Sequence, residues 1–411
     1  MRRSRISRFM ESDRLSCDII RQACKVREIN LFAAGDSNDI KTWSNVPYFF
    51  SGAVEQKGIR VNRINLIPDD MFLYRWYMRF FLSWSALKRM IRKKDYPYDF
   101  FRDRISLHLS GIKARRALRR HPDADFNIFL TFSISSYRYS DIPVIHYCDQ
   151  TYDLYLSGKD RAATERDRVF IAMETGNLKN ARYIFTTGRR CCEHIVEKYG
   201  LVNVRSLPAG INLDTLEIAD EAGILAGKMR ERNILFIGKG IHKRGVDILI
   251  EAFTRFSGMH AESWKLHIVG VDRESFGELP GNIFFYGQLS KDIPAELACY
   301  LHLMRSARLF VMPMRKGPLP GVVKEVAMMY TPSIITDIWH ASDLVSDGYN
   351  GKLVGHADAG EFAQAMDELV SDEKAWERLA RNAHGSMQRF TWSRSIDQML
   401  EVIAQDMPVD A

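Results

Sequence analysis

The feature that most constrains the fold is a rhythm of short apolar runs and longer amphipathic stretches, which begins again at Asn233. This order is typical of α/β units with parallel sheets, because each buried strand is followed by a helix that covers it. The chain therefore predicts two doubly wound domains with a boundary near residues 214–230. The predicted strands of the first series are Ile29–Ala34, Arg60–Ile67, Phe126–Phe132, Pro143–Cys148, Tyr183–Thr187 and Val204–Leu207. Those of the second series are Ile234–Ile237, Lys265–Val269, Ile283–Tyr286, Leu309–Met312, Ser333–Thr336 and Lys352–Val354.

Composition narrows the class of protein. The 411 residues are 46% hydrophobic and 27% charged, which is ordinary for a globular protein with two domains. No apolar run reaches the roughly 18 residues that a membrane-spanning helix needs. The basic N-terminus has no apolar run after it, so it is not expected to be a secretory signal. The six cysteines form no Cys-x-x-Cys pair or zinc-ligand spacing, so we expect no bound metal and a reducing, cytoplasmic location.

Basic residues are concentrated in one region of a chain with net charge +7. Residues 71–121 contain 14 Lys or Arg against three acids. Such a density indicates an anionic partner, which can be a membrane surface, a phosphorylated substrate or a nucleic acid. No nucleic-acid-binding motif accompanies the charge, so nucleic acid is the least favoured of the three.

Within that region, segment 71–94 has the spacing of an amphipathic helix. Its apolar stripe is Leu73, Tyr77, Phe80, Trp84, Leu87 and Ile91. Aromatic side chains on one face and cations on another are typical of a helix that lies in a membrane interface. The alternative is a helix packed on the first domain with a solvated basic face.

The turn after the first strand of the second series combines glycine with cations. Gly238 follows Ile234–Ile237 directly, and Lys239 and Arg244 lie within the next turn. In a doubly wound sheet, ligands bind beyond the carboxyl ends of the strands. The sequence therefore predicts an anion site at this turn, although a solvated basic loop has the same composition.

A second turn, about 80 residues later, has the pattern of a helix start. Pro318 and Pro320 disfavour helix before Gly321 and favour one after it. The N–H groups of Gly321, Val322 and Val323 are then expected to face an anion. Glu325 lies one turn further on, where its carboxylate can accept hydrogen bonds from the hydroxyls of a ribose. The alternative is a carboxylate that only stabilises the start of the helix.

Together these motifs resemble the retaining nucleotide-sugar glycosyltransferases of the GT-B architecture, in the family 4 group and its bacterial branch. The family's donor loop, Gly-Arg-x-x-x-x-Lys-Gly, reads here as Gly238-Lys239-x-x-x-x-Arg244-Gly245, with the cations exchanged. The resemblance implies that both cations neutralise the donor pyrophosphate and that Glu325 binds its ribose. The family's preceding glutamate, which contacts the transferred sugar, is Gly317 here, and its later Gly-Gly pair is Trp339-His340.

The resemblance also implies an acceptor side in the first domain. Loop 35–48 is similar to the loop that lies over donor and acceptor in the bacterial branch. The strand end His146-Tyr147-Cys148-Asp149 is similar to one that carries an active-site aspartate, which makes Asp149 and then His146 the candidate catalytic residues. The segment Pro208–Asn212 matches the branch's Pro-x-Gly-x-Asn and would line the hinge.

The fold expected from the resemblance is two Rossmann-like, doubly wound parallel-sheet domains that face a central cleft. The expected divisions are an N-terminal extension over 1–28, an acceptor-side domain over 29–215, a donor-binding domain over 216–390, and a C-terminal helix over 391–411 that returns to the first domain. Apolar residues at helical spacing from Trp392 to Ile403 support that helix.

The expected function is retaining transfer of a sugar from a nucleotide-diphosphate sugar, which serves as the donor substrate, to a saccharide or lipid-linked acceptor. No cofactor or metal ion is expected to take part, and the expected location is cytoplasmic, with peripheral contact with the inner face of an anionic membrane. Three alternatives stay open: an epimerase, a phosphorylase, and a catalytically degenerate scaffold of the same fold.

Overall fold

The computed structural model describes residues 26–80, 104–158, 162–213, 220–261 and 263–405. These residues divide into two compact units. The first unit takes in the described residues up to Pro208 together with those from Ser395 onward, and the second is Ala209–Arg394. Most of the expected N-terminal extension, and residues 214–219 of the expected boundary, lie outside the described residues.

The first unit contains a six-stranded parallel sheet in the order β2-β1-β3-β4-β5-β6. Its central strands are buried on both faces, as expected of a parallel sheet covered by helices. The strands are β1 Glu28–Ala33, β2 Arg60–Asn65, β3 Phe126–Phe129, β4 Val144–Cys148, β5 Tyr183–Thr186 and β6 Val204–Ser206. The helices are α1 Val46–Gln56, α2 Arg104–Arg120, α3 Tyr152–Ser157, α4 Glu165–Lys179 and α5 Arg189–Tyr199.

The second unit contains another six-stranded parallel sheet, in the order β12-β11-β10-β7-β8-β9. Read from β9, this is the 3-2-1-4-5-6 order of the Rossmann fold. The strands are β7 Asn233–Ile237, β8 Lys265–Val269, β9 Ile283–Phe285, β10 Ala307–Met312, β11 Ser333–Thr336 and β12 Gly351–Val354. The helices are α6 Glu221–Glu231, α7 Ile241–Arg244, α8 Val246–Met259, α9 Pro294–Ser306, α10 Val322–Met328, α11 Ala359–Ser371 and α12 Glu373–Met387.

The last helix, α13 (Trp392–Gln405), begins in the second unit and continues in the first. Its start is fixed by Trp392, whose indole N–H donates to the side-chain oxygen of Asn212 at 2.8 Å. Further along, Asp397 forms an ion pair with Lys57 at 2.6 Å. The apolar residues at helical spacing on α13 are all buried: Trp392, Ile396, Met399, Leu400 and Ile403.

The part of segment 71–94 that the structure describes, residues 72–80, is helical. Tyr74 is buried and anchors it, whereas Phe72, Leu73, Trp76 and Phe80 are 65–71% exposed. Two members of the predicted stripe, Leu73 and Phe80, are therefore exposed here, whereas Tyr77 is partly buried. Trp84, Leu87 and Ile91 lie outside the described residues. Over the residues that are described, no helix has both the length and the apolar character needed to cross a membrane.

Candidate functional site

The strand order of the second unit locates a candidate site. Connections run outward from β7 to β8 in one direction and from β10 to β11 in the other, so the direction reverses between β7 and β10. In doubly wound sheets, ligands bind at the carboxyl ends of the strands beside such a reversal. The two segments at this position are the turn after β7, residues 238–245, and the loop after β10, residues 313–321.

These two segments are packed against each other at Gly245. This glycine has φ +73°, and a Cβ at its position would overlap the backbone carbonyl oxygen of Pro313. Only glycine combines that dihedral angle with so close a backbone approach. Arg315 adds a second connection, because its Nη1 donates to the carbonyl oxygen of His242, within the turn, at 2.8 Å. The same guanidinium forms a two-pronged ion pair with Asp247, at the start of α8, at 2.7 Å for each pair of atoms. The two segments are thus held together before any ligand binds.

The two predicted cations of the turn differ in their surroundings. Lys239 is exposed, and among the described residues its ammonium has no hydrogen-bond or ion-pair partner. Arg244 is partly buried, and its Nη1 donates to the carbonyl oxygen of Pro318 at 3.1 Å and to the sulfur of Met314 at 3.2 Å. Burial lowers the pKa of Arg244, which stays charged because an arginine begins so far above neutrality. Lys239 is therefore available to an anion, whereas Arg244 also connects the two segments.

The helix start after Gly321 corrects part of the sequence prediction. The N–H of Val323 donates to the carbonyl oxygen of Pro320 at 3.2 Å, so it is not available to an anion as expected. The tight turn made by Pro320 and Gly321 brings that carbonyl back towards the first turn of α10. Among the described residues, the N–H groups of Gly321 and Val322 have no hydrogen-bond partner. Two of the three predicted N–H donors thus remain available.

Glu325 is 4% exposed, and both oxygens of its carboxylate are already hydrogen bonded. Oε1 accepts from Lys291 Nζ at 2.8 Å, and Oε2 accepts from the hydroxyl of Tyr300 at 2.6 Å. Burial, followed by the negative charge of Glu325, raises the pKa of Tyr300 well above its usual value, so this hydroxyl stays a donor. Lys291 also donates to the carbonyl oxygen of Asn212 at 2.8 Å. A ribose hydroxyl must therefore use the second lone pair of a carboxylate oxygen or displace one of these donors.

The sequence did not single out Lys291 and Tyr300. Lys291 follows β9 in a loop, and Tyr300 lies within α9, at 34 and 25 residues from Glu325. No motif or periodicity joins these positions, and only the folding of the second unit brings their side chains to one carboxylate.

Gly317, which stands where the family has a glutamate, has φ +91°. A Cβ at this position would lie 2.7 Å from Lys243 Cε and 3.1 Å from its Nζ. The backbone conformation and the side chain of Lys243 together favour glycine. An ammonium group therefore lies close to the position from which the family's carboxylate extends.

In the first unit, His146 lies inside the sheet on β4. It is fully buried, with its ring centroid 5.6 Å from that of Phe129 and 6.0 Å from that of Phe132. Its Nδ1 is 2.6 Å from the carbonyl oxygen of Thr131, which makes Nδ1 the protonated nitrogen, and Nε2 has no hydrogen-bond partner among the described residues. Burial lowers the pKa of His146 to about 4, so the ring is neutral near pH 7.

Asp149 directly follows β4 and is partly exposed, at the carboxyl edge where a ligand of this sheet would lie. Its Oδ1 is 3.5 Å from the sulfur of Cys148. At the other end of the first unit, the predicted segment Pro208–Asn212 continues into the second unit. There Gly210 has no room for a side chain, because a Cβ would overlap Trp392.

Comparison with known proteins shows which family part of the second unit resembles. Residues 231–372 match the family model described as glycosyl transferases group 1. Over 178 residues the chain is 26% identical to the lipopolysaccharide core biosynthesis glycosyltransferase LpsE of Rhizobium meliloti, which covers 42% of this chain and 49% of that protein. The chain thus spans about half the length of the relatives it matches in sequence.

Two solved structures share the fold over most of the chain. Sucrose-phosphate synthase of Thermosynechococcus elongatus superimposes with a TM-score of 0.67 at 17% identity, covering 92% of this chain and 98% of that one. The HepE protein of Anabaena, solved in complex with UDP-glucose, has a TM-score of 0.59 at 15% identity, with coverage of 92% and 100%. The chain has the two-domain, Rossmann-like GT-B fold. Within it, residues 231–372 match the model of the group 1 glycosyl transferases.

Proposed function

We propose that this GT-B-fold protein is a retaining glycosyltransferase. It would transfer a sugar from a nucleotide-diphosphate sugar to a saccharide or lipid-linked acceptor in glycan, lipopolysaccharide or glycolipid biosynthesis. The observation that carries the proposal is the pair of interlocked segments at the strand-order reversal of the second unit, where Lys239 and two N–H groups are available to an anion. The group 1 family match of residues 231–372 coincides with this unit.

The relatives support the same substrate class. LpsE is named as a glycosyltransferase of lipopolysaccharide core biosynthesis, and the HepE protein was solved with UDP-glucose. A diphosphate carries two adjacent phosphoryl groups, which suits a site with separate cationic and N–H donors. We infer that Lys239 and Arg244 contact the diphosphate from the turn after β7. The N–H groups of Gly321 and Val322 would contact it from the start of α10.

In the proposed reaction the bond from the anomeric carbon to the β-phosphate oxygen breaks, and negative charge develops on the departing nucleoside diphosphate. The acceptor hydroxyl attacks the same face of the sugar, and its oxygen forms the new bond to the anomeric carbon. Its proton passes to the departing phosphate oxygen, so the configuration is retained. The protein's task is to stabilise the growing charge, which fixed cations and N–H dipoles do without a metal ion.

Glu325 would bind the ribose in this scheme. Its oxygens accept from Lys291 and Tyr300, and each keeps one further lone pair. We infer that the donors Lys291 and Tyr300 hold the carboxylate in a fixed orientation, and that the ribose hydroxyls donate further hydrogen bonds to its oxygens.

For the acceptor side, Asp149 is the proposed polar residue of the first unit because it lies at the carboxyl edge of β4. His146 is less suited to proton transfer, since it is enclosed by Phe129 and Phe132 and is neutral near pH 7. A lipid-linked acceptor would be reached from a membrane surface, for which the exposed face of residues 72–80 is the proposed contact. The proposed location is therefore the cytoplasmic face of an anionic membrane.

A thermal-shift screen against UDP, GDP, ADP, TDP and CDP tests the proposal. Ligands that bind only the folded protein raise its melting temperature. We expect one diphosphate to raise the melting temperature by several degrees and the matching nucleoside to have a smaller effect. If none of the five shifts the transition, the nucleotide-sugar proposal is wrong.

A second candidate is a catalytically degenerate binding protein of the same fold. It is favoured by Gly317, where the family has a glutamate, and by the occupied oxygens of Glu325. It predicts that a nucleoside diphosphate binds but that no donor sugar is consumed. A coupled assay for release of that diphosphate from its sugar derivative, with and without bacterial glycolipid extract as acceptor, separates the two candidates.

A further inference from the structure

The turn that follows β11 has an unusual backbone for its residues. The N–H of Ala341 donates to the carbonyl oxygen of Ile338 at 3.1 Å, which closes a β-turn with Trp339 and His340 at its centre. Both central residues have positive φ, at +54° and +55°. A turn with positive φ at both positions favours glycine and asparagine, because a larger side chain crowds the backbone there. The chain instead has an indole and an imidazole.

Other left-handed residues of the second unit have structural explanations. Arg232 ends helix α6, a place where left-handed residues are common. Tyr330 is buried just after α10, and its ring stacks on His384 with centroids 4.1 Å apart and planes 5° apart. Trp339 differs from both, because it is only partly buried and has no hydrogen bond or ring contact among the described residues. Among the described residues, no hydrogen bond or ring stacking therefore accounts for an indole at this position.

The turn is held rigidly beside the candidate site. β11 pairs with β10 through Ile334↔Val311 and Ile335↔Met312, so the segment after β11 emerges next to the loop after β10. On one side, the N–H of Asp337 donates to the carbonyl oxygen of Val354 at 2.8 Å. On the other side, Ala341 is fully buried. Strained residues that the surrounding structure holds in place are concentrated at ligand-binding positions.

We propose that Trp339 contacts the sugar of the bound nucleotide-sugar and determines which sugar is accepted. The inference rests on the proposed function, since it assigns the sugar-binding part of the same site. The indole offers a flat apolar surface for the C–H face of a hexose, and its N–H is a donor for a hydroxyl.

Four variants separate a ligand-binding indole from a structural one. Trp339→Phe keeps an aromatic ring at the strained position. Trp339→Asn and Trp339→Gly remove the ring and suit the left-handed backbone. Tyr330→Gly is the matched control, because it removes a left-handed aromatic residue whose ring is packed against His384.

Isothermal titration is done with UDP and UDP-glucose, GDP and GDP-mannose, and ADP and ADP-glucose. For the nucleotide that binds, the proposal expects Trp339→Gly and Trp339→Asn to lower the affinity for the nucleotide-sugar about tenfold or more. Affinity for the nucleoside diphosphate should stay within about twofold, and Trp339→Phe should stay close to the wild type. The melting temperature of Trp339→Gly should be unchanged or a few degrees higher, whereas that of Tyr330→Gly should fall.

Two results would overturn the inference while leaving the proposed function intact. One is nucleotide-sugar affinity that is unaffected by Trp339→Gly while the nucleoside diphosphate still binds. The other is a melting temperature that falls for Trp339→Gly as far as for Tyr330→Gly, which would show that the indole stabilises the fold. If none of the five nucleoside diphosphates of the thermal-shift screen binds the wild-type protein, the proposed function fails and the inference fails with it.

Discussion

At the scale of single residues, the candidate site depends on which groups have partners before a ligand arrives. Lys239 is exposed and available, whereas the carboxylate of Glu325 is buried between Lys291 and Tyr300. The sequence identified the two predicted binding residues by their distance from glycines and prolines. It could not identify the hydrogen-bond partners of Glu325, because a side chain's neighbours in the folded unit leave no local pattern in the sequence.

Replacing Glu325 with glutamine tests its role towards ribose. Glutamine keeps the size of the side chain but loses the charge that accepts hydroxyl hydrogens strongly, so nucleoside diphosphate affinity should fall about tenfold. Affinity for inorganic pyrophosphate, which has no ribose, should not change. Tyr300→Phe is the control, because it removes a donor to Glu325 and keeps the carboxylate. Equal losses for pyrophosphate and nucleotide would assign Glu325 a structural role only.

His146 makes a prediction for stability against pH. Burial lowers its pKa from 6.5 to about 4, so between these values the folded protein binds fewer protons than the unfolded chain. The stability that His146 contributes is therefore fully present above pH 6.5 and is lost as the pH falls towards 4. The loss lowers the free energy of unfolding by about 3 kcal/mol. Denaturant titrations of wild type and His146→Gln at pH 7 and pH 4.5 measure this. A stability gap between the two proteins that does not change with pH would contradict it.

At the scale of elements, the strands were predictable and the details of the loops were not. Each predicted strand is present. Most are apolar runs that a parallel sheet buries on both faces, whereas β2 is largely polar and only partly buried. Ends were less certain: the predicted Phe126–Phe132 stops at Phe129, although Leu130 and Phe132 are still buried. The N–H of Val323 was wrongly expected to be available, because proline and glycine spacing indicates where a helix starts but not which carbonyl turns back onto it.

The contact between the turn after β7 and the loop after β10 can be tested with two glycines. Gly245 and Gly240 both have positive φ, but a Cβ would meet the backbone of Pro313 only at position 245. Gly240→Ala should lower the free energy of unfolding by about 1 kcal/mol through backbone strain alone. Gly245→Ala should lower the free energy of unfolding by about 2 kcal/mol more than Gly240→Ala does, because the two segments must separate. The same separation should weaken diphosphate binding. Similar costs for both variants in denaturant titrations would show that this contact does not hold the site together.

The helical segment 72–80 predicts membrane contact. Trp76 and Phe80 are exposed beside the exposed cations Arg75 and Arg79, a combination suited to an anionic lipid surface. Cosedimentation with vesicles containing phosphatidylglycerol should fall severalfold for Trp76→Ser/Phe80→Ser and for Arg75→Glu/Arg79→Glu. Vesicles of phosphatidylcholine alone should bind the wild type weakly. Unchanged binding of both variants would remove this segment from the acceptor-side proposal.

At the scale of the whole molecule, the restart of the strand–helix rhythm at Asn233 was enough to predict two doubly wound units, and the structure confirms them. The order of strands within each sheet could not be read from the chain, because apolar runs of similar length and composition can pair in many ways. That order matters for function. It places the β7 and β10 connections, which are about 70 residues apart in sequence, side by side at the reversal point.

The central claim is that this reversal point binds the diphosphate of a nucleotide-sugar, and Lys239 gives the most direct measurement of it. Isothermal titration measures the affinities of three proteins, the wild type, Lys239→Ala and Lys265→Ala, for the nucleoside diphosphate and for its nucleoside. Lys265 is also exposed, but it is the first residue of β8 and so lies at the amino ends of the strands, away from the carboxyl ends where the candidate site lies. Lys239→Ala should lower the affinity for the nucleoside diphosphate about tenfold or more and leave the affinity for the nucleoside unchanged. Lys265→Ala should bind both compounds as tightly as the wild type does. Equal diphosphate affinity for all three proteins would contradict the claim.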